Sequence, residues 1–123
     1  MINIPKFLRS FQFAARGIVD LFRFENNAKI HLLAAILVIG AGFWLHLSTT
    51  EWVLIITQIG LVMATESVNT ALEKLADRVT TQHDPLIGAA KDLSSGAVLI
   101  VAVVALLVGL LIFAPKLLAL ISL

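Results

Sequence analysis

Met63-Ala64-Thr65-Glu66-Ser67-Val68-Asn69-Thr70-Ala71-Leu72-Glu73-Lys74-Leu75-Ala76-Asp77-Arg78 continues an apolar run that opens at Trp52, so it reads as the end of a membrane helix. It nevertheless carries Glu66, Asn69, Glu73 and Asp77, at steps of three, four and four residues. That spacing puts all four on one helix face. A carboxylate in the hydrocarbon costs roughly 2.5–3.5 kcal/mol on insertion scales. Acids gathered on one face near a membrane boundary therefore need a partner, a cation or a reaction. The plainer alternative is a solvated helix end whose acids pair with Lys74 and Arg78.

The composition agrees with a membrane setting. Of the 123 residues, 59% are apolar, and the mean hydropathy is +0.99, far above a soluble average. The chain reads as one all-α integral membrane domain. A net charge of +1 points to no nucleic-acid partner. With no cysteine there is no disulfide framework, thiol nucleophile or thiolate metal site.

Residues 5–24 read as an amphipathic surface helix. Pro5 suits a first helical position. Phe7, Phe11, Ala14, Ile18, Leu21 and Phe22 recur on one side, and Lys6, Arg9, Arg16 and Arg23 make the segment basic. A polar break follows from Phe24 to Lys29. Three membrane helices are expected at 30–47, 52–76 and 97–114. Eighteen residues reach about 27 Å, near the hydrocarbon thickness. His31 and His46 fall near the ends of the first span and read as boundary hydrogen-bonding groups. Ser48 or Thr50 suits the cap of the second. Residues 77–92 read as a polar loop, and Pro115 as the end of the third helix.

Lys6, Arg9, Arg16, Arg23, Lys29, Lys74, Arg78 and Lys91 fall on one side of this arrangement, and only Lys116 on the other. The positive-inside rule then puts the acidic face at the cytoplasmic boundary. There Glu25, Glu66, Asn69, Glu73, Asp77, Lys91 and Asp92 collect. Carboxylates with an amide suit Mg²⁺, a hard cation that takes oxygen ligands. Lysine suits a phosphate, and a buried carboxylate can serve as a general base. These are parts for phosphoryl transfer at a membrane surface. No Walker A pattern, kinase glycine loop or HRD/DFG set is present.

The run Glu66-Ser-Val-Asn69-Thr-Ala-Leu-Glu73-Lys-Leu-Ala-Asp77 resembles the signature of the small prokaryotic diacylglycerol kinases, E-x-x-N-[ST]-A-[IL]-E-x-x-x-D. Ala90-Lys91-Asp92 followed by Gly96-Ala97-Val98 is similar to their second motif. The resemblance covers nearly the whole chain. It implies a homotrimer in the bacterial inner membrane, each protomer having one surface helix and three membrane helices, with the active site facing the cytoplasm. It also implies ATP- and Mg²⁺-dependent phosphorylation of a membrane lipid alcohol. By the same resemblance, Glu66 would be the base on the lipid hydroxyl, with Ser95 beside the lipid. Glu25 and Glu73 would hold Mg²⁺ with the ATP phosphates. Asn69, Lys91 and Asp92 would contact the nucleotide, as would Gln82, His83 and Asp84 of the loop. Lys6 stands where the family often has an arginine; it keeps the charge but lacks the bidentate fork. Phe13 stands where some members carry a nucleotide-contacting tyrosine.

Both substrates known for the family, diacylglycerol and undecaprenol, present a primary hydroxyl on apolar chains. Diacylglycerol, giving phosphatidic acid, is the leading expectation. The His83-Asp84-Pro85-Leu86 loop leans toward the undecaprenol group. A small proton-coupled transporter is the reading from another class. It wants a carboxylate near the midplane. Glu66 instead stands about fourteen residues, roughly 21 Å, from the outer helix end.

Overall fold

Four helices account for nearly all of the described chain, residues 1–122, in a computed structural model: α1 Ile4–Phe24, α2 Asn26–Trp44, α3 Thr49–Val79 and α4 Pro85–Ile121. No strand occurs among the described residues. α2, α3 and α4 are each long and apolar enough to cross a membrane.

Local chemistry sets each boundary. At the start of α1, the Asn3 side chain accepts the Lys6 N–H at 3.1 Å, and Pro5 lies in the first turn. The break expected over 24–29 shrinks to Glu25 alone. The Glu25 N–H closes α1 on the Leu21 carbonyl at 3.1 Å, while its own carbonyl accepts the Lys29 N–H at 3.1 Å and opens α2. One residue thus caps two helices.

The α2–α3 turn is a Schellman closure. The Leu47 N–H reaches the Gly42 carbonyl at 3.1 Å, with His46 in the left-handed region at φ 54°. His46 therefore serves through its backbone. Ser48, and not Thr50, caps α3. Its Oγ accepts the Glu51 N–H at 3.2 Å, and the Glu51 carboxylate accepts the Ser48 N–H at 2.9 Å, a reciprocal capping box.

The polar loop expected over 77–92 is only residues 80–84. Its flanks are helical because polar side chains let a helix continue into water once past the apolar layer. Asp84 starts α4 by accepting the N–H groups of Leu86 and Ile87 at 2.9 and 3.1 Å, with Pro85 at the first helical position. Pro115 does not end α4, which runs on to Ile121. Proline removes one backbone donor, a loss that apolar helices tolerate.

α3 and α4 form the most extensive interface, an antiparallel hairpin. Lys116 Nζ meets Glu51 Oε1 at 3.1 Å at one end, and Lys91 Nζ meets Asp77 Oδ1 at 2.8 Å at the other. α2 packs on α3, and α1 on both, but α2 and α4 do not pack on each other. Leu47, Ile55 and Ile112 form an apolar core near the α2–α3 turn, with Trp52 and Phe113 against it. The other half of α3 buries polar groups instead: Glu66, Asn69 and Thr70. Large apolar side chains such as Leu37, Ile56, Val68, Leu99 and Leu111 point outward. That inverted pattern suits a chain surrounded by lipid or by its own copies.

Candidate functional site

The packed stripe of α3 runs Ile55, Val62, Glu66, Asn69, Glu73, Ala76, changing from apolar to polar along its length. Helical spacing, not a loop, therefore holds the acids in line. Glu66 is 1% exposed. Burying a lone carboxylate carries a desolvation penalty of several kcal/mol per ion, so its neighbours matter. His31 Nδ1, from α2, lies 2.9 Å from Glu66 Oε1. The two are close enough to bond, yet the ring N–H is not aligned on the oxygen. Asn69 Oδ1 is likewise buried without an aligned partner, while its Nδ2 donates to Glu73 Oε1 at 3.4 Å. Buried polar atoms left unpaired are rare in folded proteins and call for an explanation: an ordered water, an ion or a catalytic role.

Glu25, at the α1–α2 junction, and Glu73 are both half-buried. Glu66, Asn69 and Glu73 share one face of α3, and Glu25 stands at the junction of the two helices that pack on α3. No group of three or more His, Asp or Glu side chains converges to hold a metal among the described residues. What these residues do offer is oxygen donors and the unpartnered Asn69 Oδ1. Those fit a hard cation that keeps waters and takes phosphate oxygens as its remaining ligands.

Other expected residues lie apart. Lys91 and its partner Asp77 stand eleven residues beyond Glu66 on the hairpin, about 16 Å along the axis. Asp92 and Ser95 are exposed on α4. Gln82 and His83 are exposed in the loop, where the Gln82 N–H donates to Thr80 Oγ1 at 3.1 Å. One oxygen of Asp84 is engaged in capping α4. Lys6 lines a shallow groove of about 400 Å³ on α1 with Asn3, Arg9, Ser10 and Phe13. It lies nineteen residues from Glu25, about 28 Å along the helix. One chain therefore presents three separate sets of residues.

His31 is the site residue that the sequence did not assign to Glu66. The available signal was its place three residues after Ala28 and four before Ala35, both buried small residues of α2. An apolar cleft of about 420 Å³ runs from His31 toward Phe113, between α2 and α4 and floored by α3.

Residues 12–113 match the family described as prokaryotic diacylglycerol kinase. An undecaprenol kinase of Bacillus subtilis is 45% identical over 115 residues, 94% of each chain. A diacylglycerol kinase of Synechocystis is 37% identical over 117 residues, 94% of this chain and 67% of the relative. The diacylglycerol kinase of Escherichia coli is 37% identical over 75 residues, 61% of this chain and 62% of the relative.

Proposed function

The chain belongs to the prokaryotic diacylglycerol kinase family and is a multi-pass membrane lipid kinase, and from that premise we propose that it phosphorylates undecaprenol with ATP. The observation that carries the chemistry is a carboxylate 1% exposed in a membrane helix, beside an apolar cleft that begins at the histidine touching it. A lipid tail suits such a cleft, and a hydroxyl suits the unpaired carboxylate. Motifs alone put diacylglycerol first; 45% identity to an undecaprenol kinase over 94% of the chain moves undecaprenol ahead. Diacylglycerol, giving phosphatidic acid, is the second reading, favoured by the Synechocystis relative.

In the proposed reaction the lipid hydroxyl oxygen forms a bond to the γ-phosphorus of ATP. The bond from that phosphorus to the β–γ bridging oxygen breaks, and ADP leaves. The hydroxyl proton passes to Glu66 as general base. Glu25 and Glu73 would hold Mg²⁺, which when bound neutralises phosphate charge. Asn69, Lys91 and Asp92 orient the nucleotide, with Lys6, Gln82, His83 and Asp84 at its edges, and Ser95 lies beside the lipid.

The three separate residue sets and the large apolar side chains that point outward support a homotrimer whose sites are shared between copies. The basic character of α1 and the clustering of Lys and Arg support a surface helix and a site at the cytoplasmic face of the inner membrane. The transporter alternative gives way to family membership.

The test is purified protein with Mg²⁺ and labelled ATP, and both lipids in competition in mixed micelles. Label chiefly in undecaprenyl phosphate is the expected result. Label chiefly in phosphatidic acid would transfer the assignment to the second reading, and label in neither would sink both.

A further inference from the structure

We propose that His31 is a positioning residue for the Glu66 carboxylate, its Nδ1–H holding one oxygen so that the other faces the lipid hydroxyl. The inference rests on Glu66 being the base. Its observations are separate: a contact of 2.9 Å between two different helices, and a carboxylate that is 1% exposed. Among the described residues, no Lys or Arg forms an ion pair with Glu66; His31 is the one basic side chain within bonding distance.

A carboxylate can rotate about its last torsion, and that torsion is broad and soft. A base must present its oxygen within about 2.6–3.2 Å of the proton it removes. Fixing Oε1 fixes Oε2. An imidazole on a neighbouring helix is a rigid way to do so, because packing holds both helix backbones. Ala28 and Ala35, buried on either side of His31, let the ring sit close to α3. The misalignment of the ring N–H matches catalytic hydrogen bonds that tighten only when substrate arrives. His31 also lines the start of the apolar cleft, so a hydroxyl at the end of a chain lying there would meet the pair directly.

The contact runs through Nδ1, and this gives a discriminating test. Asparagine places its amide nitrogen as many bonds from Cβ as Nδ1 is; glutamine places it where Nε2 would be. His31→Asn, His31→Gln and His31→Leu are to be compared for kcat, for KM of Mg-ATP and for thermal unfolding in detergent. A misplacement of an ångström costs about 10²-fold in rate. His31→Leu and His31→Gln are expected to lose about that factor in kcat, with KM for Mg-ATP unchanged. His31→Asn is expected to recover most of it. Three equal variants, a loss confined to KM for ATP, or losses that track unfolding temperature would each overturn the role. Glu66→Gln assayed alongside separates the two claims. If it stays active, the base assignment fails. If it is dead while His31→Leu is fully active, only the positioning role fails.

Discussion

Lys91 Nζ lies 2.8 Å from Asp77 Oδ1, so the ammonium expected to meet a phosphate already has a carboxylate partner in its own hairpin. The pair is largely open to water, and such pairs are worth about 0–1 kcal/mol. Asp77 thus holds Lys91 only weakly and leaves it free to meet a phosphate. A charge-assisted bond to phosphate is worth about 1.5–3 kcal/mol. Lys91→Ala should raise KM for ATP about ten- to a hundredfold. Asp77→Asn should raise it by no more than about fivefold. An unchanged KM in Lys91→Ala would remove Lys91 from the nucleotide.

Glu66→Gln keeps the shape of the buried side chain and removes its basicity. General-base catalysis is typically worth about 10²–10⁴ in rate, and turnover should fall by that much while ATP still binds. A variant that keeps more than roughly a tenth of the normal turnover would take Glu66 out of the chemistry.

Glu25 and Glu73 come from different segments, the α1–α2 junction and α3. If they hold one cation, Glu73→Gln should shift the Mg²⁺ activation curve to higher concentration and weaken Mg-ATP more than lipid. Titrating Mg²⁺ at fixed ATP makes the measurement. Identical curves for the Glu25→Gln, Glu73→Gln and unmodified proteins would contradict the assignment.

About 16 Å of helix separates Glu66 from the level of Lys91 in one chain. Under the proposed shared site, the two residues would serve one phosphoryl group from different copies. Glu66→Gln and Lys91→Ala chains, unfolded, mixed equally and reassembled, should regain activity at about a quarter of sites in a cyclic trimer. No recovery in mixtures shown by cross-linking to contain both chains would mean that the two residues act from the same copy.

Gly42 faces Trp52. A Cβ there would meet the indole Cη2 at 2.7 Å and Leu47 Cδ1 at 2.9 Å. Overpacking costs about 1–3 kcal/mol, against about 1 kcal/mol gained by replacing glycine within a helix. Gly42→Ala should therefore lower the unfolding temperature in detergent while leaving turnover per folded molecule intact. An equal or higher unfolding temperature would argue against the tight turn.

Much of the fold was legible because apolar runs and capping residues act locally. The three spanning helices and the acidic face of α3 follow from spacing alone. What misled was polarity at the membrane edge. Residues 77–79 and 85–92 carry the charged Asp77, Arg78, Lys91 and Asp92, yet they remain helical because nothing in them stops a helix, and Pro85 stands at the start of one. Pro115 misled in the opposite sense, since one missing donor does not stop a long apolar helix. The His31–Glu66 contact was not legible. It depends on how far α2 is rotated against α3, which Ala28, Ala35 and Gly42 set by their small size and which no local pattern states.

The chain has two tryptophans and no tyrosine, and both tryptophans stand at the α2–α3 turn. Trp52 packs against Phe43 with ring centroids 4.9 Å apart, whereas Trp44 is 66% exposed. The protein therefore carries its own optical labels at the end remote from Glu66, Asn69 and Glu73, with Trp52 about 21 Å along α3 from Glu66. Trp44 emission will follow the surrounding lipid or detergent, and Trp52 emission the integrity of the turn. If nucleotide binds beside Glu73 as proposed, neither will respond to it directly, so a change in emission on adding ATP would signal motion carried through the length of α3.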